Sequence, residues 1–175
     1  IKIKSVVLVE ELPNGIGYIS MRQTRFSEHT TAEVEQAIKN LRGAKGLVLD
    51  LRGNPGGLLR QATQVADLFL PKGAVIVTIR EREGRREEVR RSQRTPIAEE
   101  VPLVVLIDEG SASASEIVAG AIQDNDRGVI IGEASFGKGS VQTIFDLHEV
   151  SSSALKLTTA LYYSPSGRSI HRDQG

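Results

Sequence analysis

The sequence predicts a layered α/β domain. Three short, continuous apolar runs, Gly46–Leu51 (GLVLDL), Val101–Ile107 (VPLVVLI) and Gly128–Gly132 (GVIIG), have the length and composition of strands buried on both faces. Stretches with helical spacing of apolar residues separate them, and strands that alternate with helices build α/β layers. The 175 residues suit one domain with a substantial core.

In chain order, Ile1–Val9 alternates weakly and reads as a strand or the edge of a preceding unit. Pro13-Asn14-Gly15 is a turn signal, and Ile16–Met21 reads as a strand. Thr30 or Thr31 can cap a helix running to about Arg42, with Val34, Ala37, Ile38 and Leu41 on its apolar face and Gly43 as its stop. After the strand Gly46–Leu51, a helix fits Leu58–Leu70, ended by Pro71, and Ala74–Ile79 is another strand. Arg80–Arg94 holds seven Arg and four Glu and reads as an exposed, solvated hairpin, since mixed-sign runs serve solubility. Val101–Ile107 is followed by a helix from Ser113 to about Gln123, with Ile117, Val118, Ala121 and Ile122 on one face. Beyond Gly128–Gly132, Val141–Leu147 and Ala154–Tyr163 alternate like antiparallel strands, and Ser164–Gly167 is a turn.

Composition narrows the chemistry. Lys plus Arg (22) balance Asp plus Glu (22), which argues against binding nucleic acid or an anionic membrane by overall charge. No apolar run approaches the roughly 20 residues that cross a bilayer, and no leader pattern is visible. The absence of Cys excludes disulfides, thiolate zinc sites and cysteine nucleophiles. The three His residues, His29, His148 and His171, are scattered and read as surface or loop residues rather than metal ligands. Catalysis would therefore draw on Ser, Lys, Asp, Glu or backbone groups.

Three loops follow the buried runs, at the strand ends where open α/β sheets gather ligands. Asn54-Pro55-Gly56-Gly57 precedes a helix; its backbone N–H groups could stabilise an oxyanion, or it is a plain strand-to-helix turn. In Gly110–Glu116 (GSASASE), Ser113 and Glu116 have capping-box spacing, and a serine at a helix start also stands beside free N–H groups. Capping and nucleophilic attack use much the same geometry there. Gly132–Ser140 (GEASFGKGS) nearly matches a phosphate-binding loop, but Gly139 stands where the metal-binding hydroxyl belongs and a strand pattern follows instead of a helix. Lys138 is then either an exposed turn residue or a base. Bringing a lysine from its ordinary pKa near 10.4 to a working value takes about 4 kcal/mol, which only desolvation or neighbouring positive charge supplies.

Longer stretches resolve these alternatives by resemblance. IGYISMRQTRFSEHT, GLVLDLRGNPGGLL, VPLVVLIDEGSASASEIVAGAIQDNDR, GVIIGEASFGKGSVQTIF and LKLTTALYYSPSGRSI together resemble the carboxyl-terminal processing (tail-specific) serine proteases, in family order and over most of the chain. The resemblance implies a crotonase-like (ClpP/crotonase-type) α/β core with a Ser/Lys catalytic pair. By motif the nucleophile falls on Ser113 and the general base on Lys138, with Gln142 matching the Gln that the family places beside the Lys. The oxyanion donors fall on the backbone N–H of Ala114 and of a glycine in NPGG, here assigned to Gly57 over Gly56. Asp124 matches a family acidic position and is read as supporting structure. No metal and no cofactor are implied.

The implied function is a serine endopeptidase that cleaves protein or peptide tails near their C-termini by acyl transfer and hydrolysis. Residues 1–8 could be the remnant of a preceding PDZ domain, with 9–175 a protease core truncated at its C-terminal side. Two other classes stand beside this reading. One is an inactive or resting core that acts as a scaffold. The other is a crotonase-like acyl-CoA enzyme, against which SASAS and GKGSVQ argue. The resemblance places the protein in a bacterial periplasm or cell envelope, or alternatively in the chloroplast thylakoid lumen. Phe136, Tyr162 and Tyr163 are read as packing residues rather than substrate contacts.

Overall fold

Residues 4–81, 85–146 and 154–172 are described by the structure, a computed structural model. Along the chain lie β1 (Leu8–Leu12), β2 (Ile16–Ser20), α1 (Thr30–Asn40), β3 (Gly46–Asp50), α2 (Leu59–Asp67), β4 (Val75–Glu81), β5 (Glu87–Arg91), β6 (Leu103–Ile107), α3 (Ala114–Asp124), β7 (Val129–Gly132), β8 (Ser140–Asp146) and β9 (Ala154–Tyr163). Two sheets result, ordered β1-β2-β3-β6-β7 and β5-β4-β9-β8. In the first, β2, β3, β6 and β7 are parallel and β1 adds antiparallel at one edge. The second is antiparallel throughout. The predicted α/β layering holds.

The parallel register sets which side chains reach the core. Ile19 pairs with Leu49, Leu49 with Val105 and Val105 with Ile130. Ile19, Leu49 and Val105 share one buried cluster with Val34 and Ile38 of α1, Val65 of α2 and Ile117 and Ile122 of α3. The alternate row, Tyr18, Val48, Val104 and Val129, points the other way. There β3 and β6 are half-buried, and β7 is open to solvent, with Val129 59% and Ile131 51% exposed. This corrects the expectation for Gly128–Gly132. It forms the sheet edge, and the helices cover the opposite face, so burial on both faces is not reached.

Other local differences have simple causes. The first strand is Leu8–Leu12, set by a hairpin to β2 through Pro13–Gly15, where Asn14 and Gly15 both take positive φ. Residues 1–3 lie outside the described residues. Neither Thr30 nor Thr31 caps α1, whose cap residue is His29. The Thr30 hydroxyl accepts from the Ser27 N–H at 2.8 Å, and that of Thr31 donates to Gln61 Oε1 at 2.6 Å. The Arg-rich stretch is an exposed hairpin of β4 and β5, as expected, with residues 82–84 outside the described set. Its far end is anchored by the buried Asp67, which accepts from the Ser92 hydroxyl and the Gln93 N–H. Tyr162 is in the core, and Arg80 lies 4.5 Å over the Tyr163 ring. Phe136, 49% exposed, is not the packing residue expected.

Candidate active site

The loops after β3, β6 and β7 converge at the carboxyl ends of the parallel strands. The first two are joined by polar groups, of which Asn54, Ser111 and Ser115 are fully buried and Asp108 half-buried. Asn54 Nδ2 donates to Met21 O at 2.9 Å, while the Asn54 main-chain oxygen accepts from the Ala112 N–H at 3.0 Å and the Ser115 hydroxyl at 2.9 Å. The Ser111 hydroxyl donates to Leu51 O at 2.9 Å. Asp108 Oδ1 accepts the N–H groups of Gly53 and Gly110 at 2.7 and 3.0 Å. Fully satisfied buried networks of this kind fix a single loop geometry.

These bonds divide the serines of SASAS. Ser111 and Ser115 are buried and their hydroxyl protons are committed to carbonyl oxygens. Ser113 is half-buried, and its hydroxyl donates no hydrogen bond among the described residues. It stands at the start of α3 in a reciprocal capping box with Glu116, whose Oε2 accepts the Ser113 N–H at 2.7 Å. Its backbone is held at φ 52° and ψ −108°, a conformation that non-glycine residues adopt only when the surroundings enforce it. Such strain gathers at functional sites.

The Gly56 backbone faces this residue. A Cβ added to Gly56 would stand 2.6 Å from Ala112 O, 2.7 Å from Ala114 N and 2.9 Å from Ser113 Cβ. The Gly56 N–H is already spent on Asn54 Oδ1 at 3.0 Å. The N–H groups of Gly57 and Ala114 find no acceptor among the described residues. Both are thus available to a developing oxyanion.

The loop after β7 is tied in by its backbone. The Gly137 N–H donates to Glu116 Oε1 at 2.6 Å and the Lys138 N–H to Glu116 Oε2 at 2.9 Å. Gly137 O accepts from Arg172 N–H at 3.0 Å and Gly139 O from Tyr162 N–H at 2.7 Å. Strand β8, not a helix, follows, as the mismatch to a phosphate loop predicts. The Lys138 side chain itself is exposed, and no hydrogen bond joins it to the Ser113 hydroxyl among the described residues. Gln142, exposed, sits beside a register shift on β8, with no hydrogen bond to either of them among those residues. A half-open cleft of about 340 Å³ adjoins the loop, lined by Glu116, Ser135, Arg168 and Arg172 among others.

Two charged clusters lie at the end of β3 and at the far end of α3. The Asp50 carboxylate, fully buried at the end of β3, accepts from Arg52 Nε at 3.0 Å, Arg52 Nη2 at 2.6 Å and the Tyr18 hydroxyl at 2.6 Å. Burial alone would raise its pKa, but the Arg52 and Tyr18 hydrogen bonds outweigh it, so the carboxyl titrates below its usual range. Burial, and then Asp50, push the Tyr18 phenol up. A depressed carboxylate stabilises the fold above its unfolded pKa, near 3.9, and that contribution is lost as pH falls through the folded value. Asp50→Asn is therefore expected to lower stability by about 2 kcal/mol at pH 7. Its gap from the wild type should begin to close below about pH 4, followed by thermal unfolding from pH 7 to 3. A gap independent of pH would show that the carboxylate charge is not what matters.

Asp124, at the end of α3, accepts from the Ser166 hydroxyl at 2.7 Å and Arg168 Nη2 at 2.6 Å. Burial would raise its pKa, yet bonds from Ser164, Ser166 and Arg168 leave it lowered. It pins the Ser164–Gly167 turn to the helix, a supporting role. His29 is exposed and His171 lies in the C-terminal loop, while His148 is outside the described residues. Among the described residues no cluster of His, Asp and Glu could hold a metal. Asn54 and Asp108, which weld the loops, carry no signal in the sequence beyond their turn context. Glu116 was legible only as a cap.

The model of peptidase family S41 matches residues 15–175. The chain belongs to peptidase family S41. A carboxy-terminal-processing protease of Bartonella bacilliformis is 50% identical over 178 residues, covering 97% of this chain and 39% of that protein. A carboxy-terminal processing protease of Bacillus subtilis is 40% identical over 168 residues, covering 95% of this chain and 35% of that protein. Among solved structures, a photosystem II D1 C-terminal processing protease superposes with a TM-score of 0.84 at 36% identity, over 97% of this chain and 46% of that one. The S41 chain thus spans less than half the length of these relatives, and it shares its mixed α/β fold with the solved protease.

Proposed function

We propose that the chain is the catalytic core of a serine endopeptidase that cleaves protein tails near their C-termini, built on a crotonase-like core. The observation that carries this reading is the division of the SASAS serines. Ser113 alone keeps an uncommitted hydroxyl proton, at a strained helix start with the free N–H of Ala114 beside it. In the proposed reaction neutral Lys138 takes the Ser113 proton as Oγ attacks a peptide carbonyl. The carbonyl oxygen becomes an oxyanion received by the N–H groups of Ala114 and Gly57. The protonated lysine returns its proton to the leaving amine, and water, activated by Lys138, releases the acyl group. Gln142 is assigned to orient the lysine.

A lysine base must be neutral, and desolvation favours that form. The Lys138 side chain is exposed and not bonded to Ser113. This observation favours a second reading, a resting core in which Lys138 must be covered and turned toward Ser113 before chemistry. Family membership counts against the acyl-CoA alternative. The proposed setting is a bacterial periplasm or cell envelope, with the thylakoid lumen as the alternative; no helix among the described residues is long and apolar enough to cross a membrane.

The test is labelling by a fluorophosphonate, with the adduct mapped by mass spectrometry, alongside cleavage of peptides with extended C-terminal tails. The adduct is expected on Ser113. An adduct on another serine, with full cleavage, would sink the assignment.

A further inference from the structure

Glu116 does more than a helix cap requires. A capping-box glutamate reaches back to one N–H, that of the cap residue. Glu116 accepts that bond from Ser113 at 2.7 Å and two more, from Gly137 at 2.6 Å and Lys138 at 2.9 Å. The extra donors come from a loop 21 and 22 residues further along the chain. One oxygen, Oε2, receives both the Ser113 and the Lys138 N–H, so those two backbone nitrogens lie within two hydrogen-bond lengths of each other. The residue is only 6% exposed. Hydrogen bonds to an ionised acceptor are about twice as strong as neutral ones, and a buried one competes little with water.

We infer that Glu116 is a positioning residue that couples the nucleophile loop to the base loop. It rests on the reading of Ser113 and Lys138 as the reacting pair. The carboxylate fixes the Lys138 backbone relative to Ser113, so that the flexible lysine stem is the one remaining freedom. Gly137 O and Gly139 O are held from the other side by Arg172 and Tyr162, and the Phe136 N–H donates to Ser111 O at 3.0 Å, so Glu116 is the side-chain link that works beside one backbone bond between the two loops.

Glu116→Asp separates this role from capping. An aspartate keeps the charge and can still serve the start of α3, but it is one methylene short of spanning to Gly137 and Lys138. Glu116→Gln removes acceptor capacity at one of the two oxygens, each of which faces N–H donors. Both variants are expected to lose about 100-fold in kcat on a peptide substrate with KM little changed, the cost of roughly 1 Å of misplacement. In a Lys138→Ala background, Glu116→Asp should change the rate of fluorophosphonate labelling no further. Wild-type kcat in Glu116→Asp would reduce Glu116 to a cap, and an undiminished additional loss in the Lys138→Ala background would make it a general structural residue. Retained cleavage in Lys138→Ala alone would instead sink the base assignment.

A readout independent of catalysis decides the clamp itself. Amide hydrogen exchange should be slow at Ser113, Gly137 and Lys138 in the wild type, and Glu116→Asp should accelerate it at Gly137 and Lys138 while Ser113 stays protected. Equal exchange at Lys138 in both proteins would overturn the inference, whether or not the protein cleaves peptides.

Discussion

Ser113→Ala and Lys138→Ala are each expected to abolish peptide cleavage, by on the order of 10⁴-fold or more, with the fold preserved. Neither change disturbs packing. Ser113 loses one oxygen that donates to nothing among the described residues, and Lys138 loses an exposed stem. Exposed substitutions of this kind stay within about 0.5 kcal/mol. Ser113→Ala also gives up the cap, whose replacement by Ala costs about 1 kcal/mol, so its unfolding temperature should fall slightly more. Residues that act as one catalytic unit are not additive, so the double variant should be no slower than either single one. Lys138→Arg should fail equally, because an arginine cannot give up its proton to serve as a base. Undiminished turnover in Ser113→Ala would remove the nucleophile assignment, and turnover in Lys138→Arg would remove the base.

The positions of the three loops were legible because buried apolar runs announce the strands, and the loops follow them. The capping role of Ser113 was legible from S-x-x-E spacing, and the fate of Ser111 and Ser115 was not. Their protons go to Leu51 and Asn54, 60 and 61 residues away, and no local pattern encodes such partners. The same holds for Glu116, whose cap is local and whose clamp is not. The strand Gly128–Gly132 reads as buried because apolar content says nothing about which strand ends a sheet. Only the order β3-β6-β7 does that, and order is a tertiary property. The preference for Gly57 over Gly56 as the proposed donor had no signal in the loop itself, and that the Asn54 side chain occupies the Gly56 N–H is a contact the sequence does not announce. The sequence supplies Lys138 but not the direction of its side chain, which four rotatable bonds leave open.

Gly56→Ala should be strongly damaging although it lies outside the proposed reacting pair. Gly56 has φ +92°, a region that costs an L-residue roughly 1–3 kcal/mol. Its added methyl would press on Ala112 O at 2.6 Å and Ala114 N at 2.7 Å. These are backbone atoms fixed by the Asn54 and α3 hydrogen bonds, so they cannot swing aside, and overpacking adds roughly 1–3 kcal/mol. A loss of about 4 kcal/mol is expected, a large share of a marginal stability of roughly 5–15 kcal/mol. Gly73→Ala supplies the control: it has nearly the same φ, +90°, but nothing within 4 Å of the added Cβ. It should show the backbone strain alone, about 1 kcal/mol. Denaturant unfolding of the two variants measures the difference, which is the steric part. Equal stability would mean that the NPGG and SASAS loops are not in close contact. The functional consequence follows from the same atoms, because the methyl would sit against the Ala114 N–H to which the proposed mechanism assigns the oxyanion. Whatever fraction of Gly56→Ala remains folded should therefore cleave no peptide, whereas Gly73→Ala should cleave at the wild-type rate.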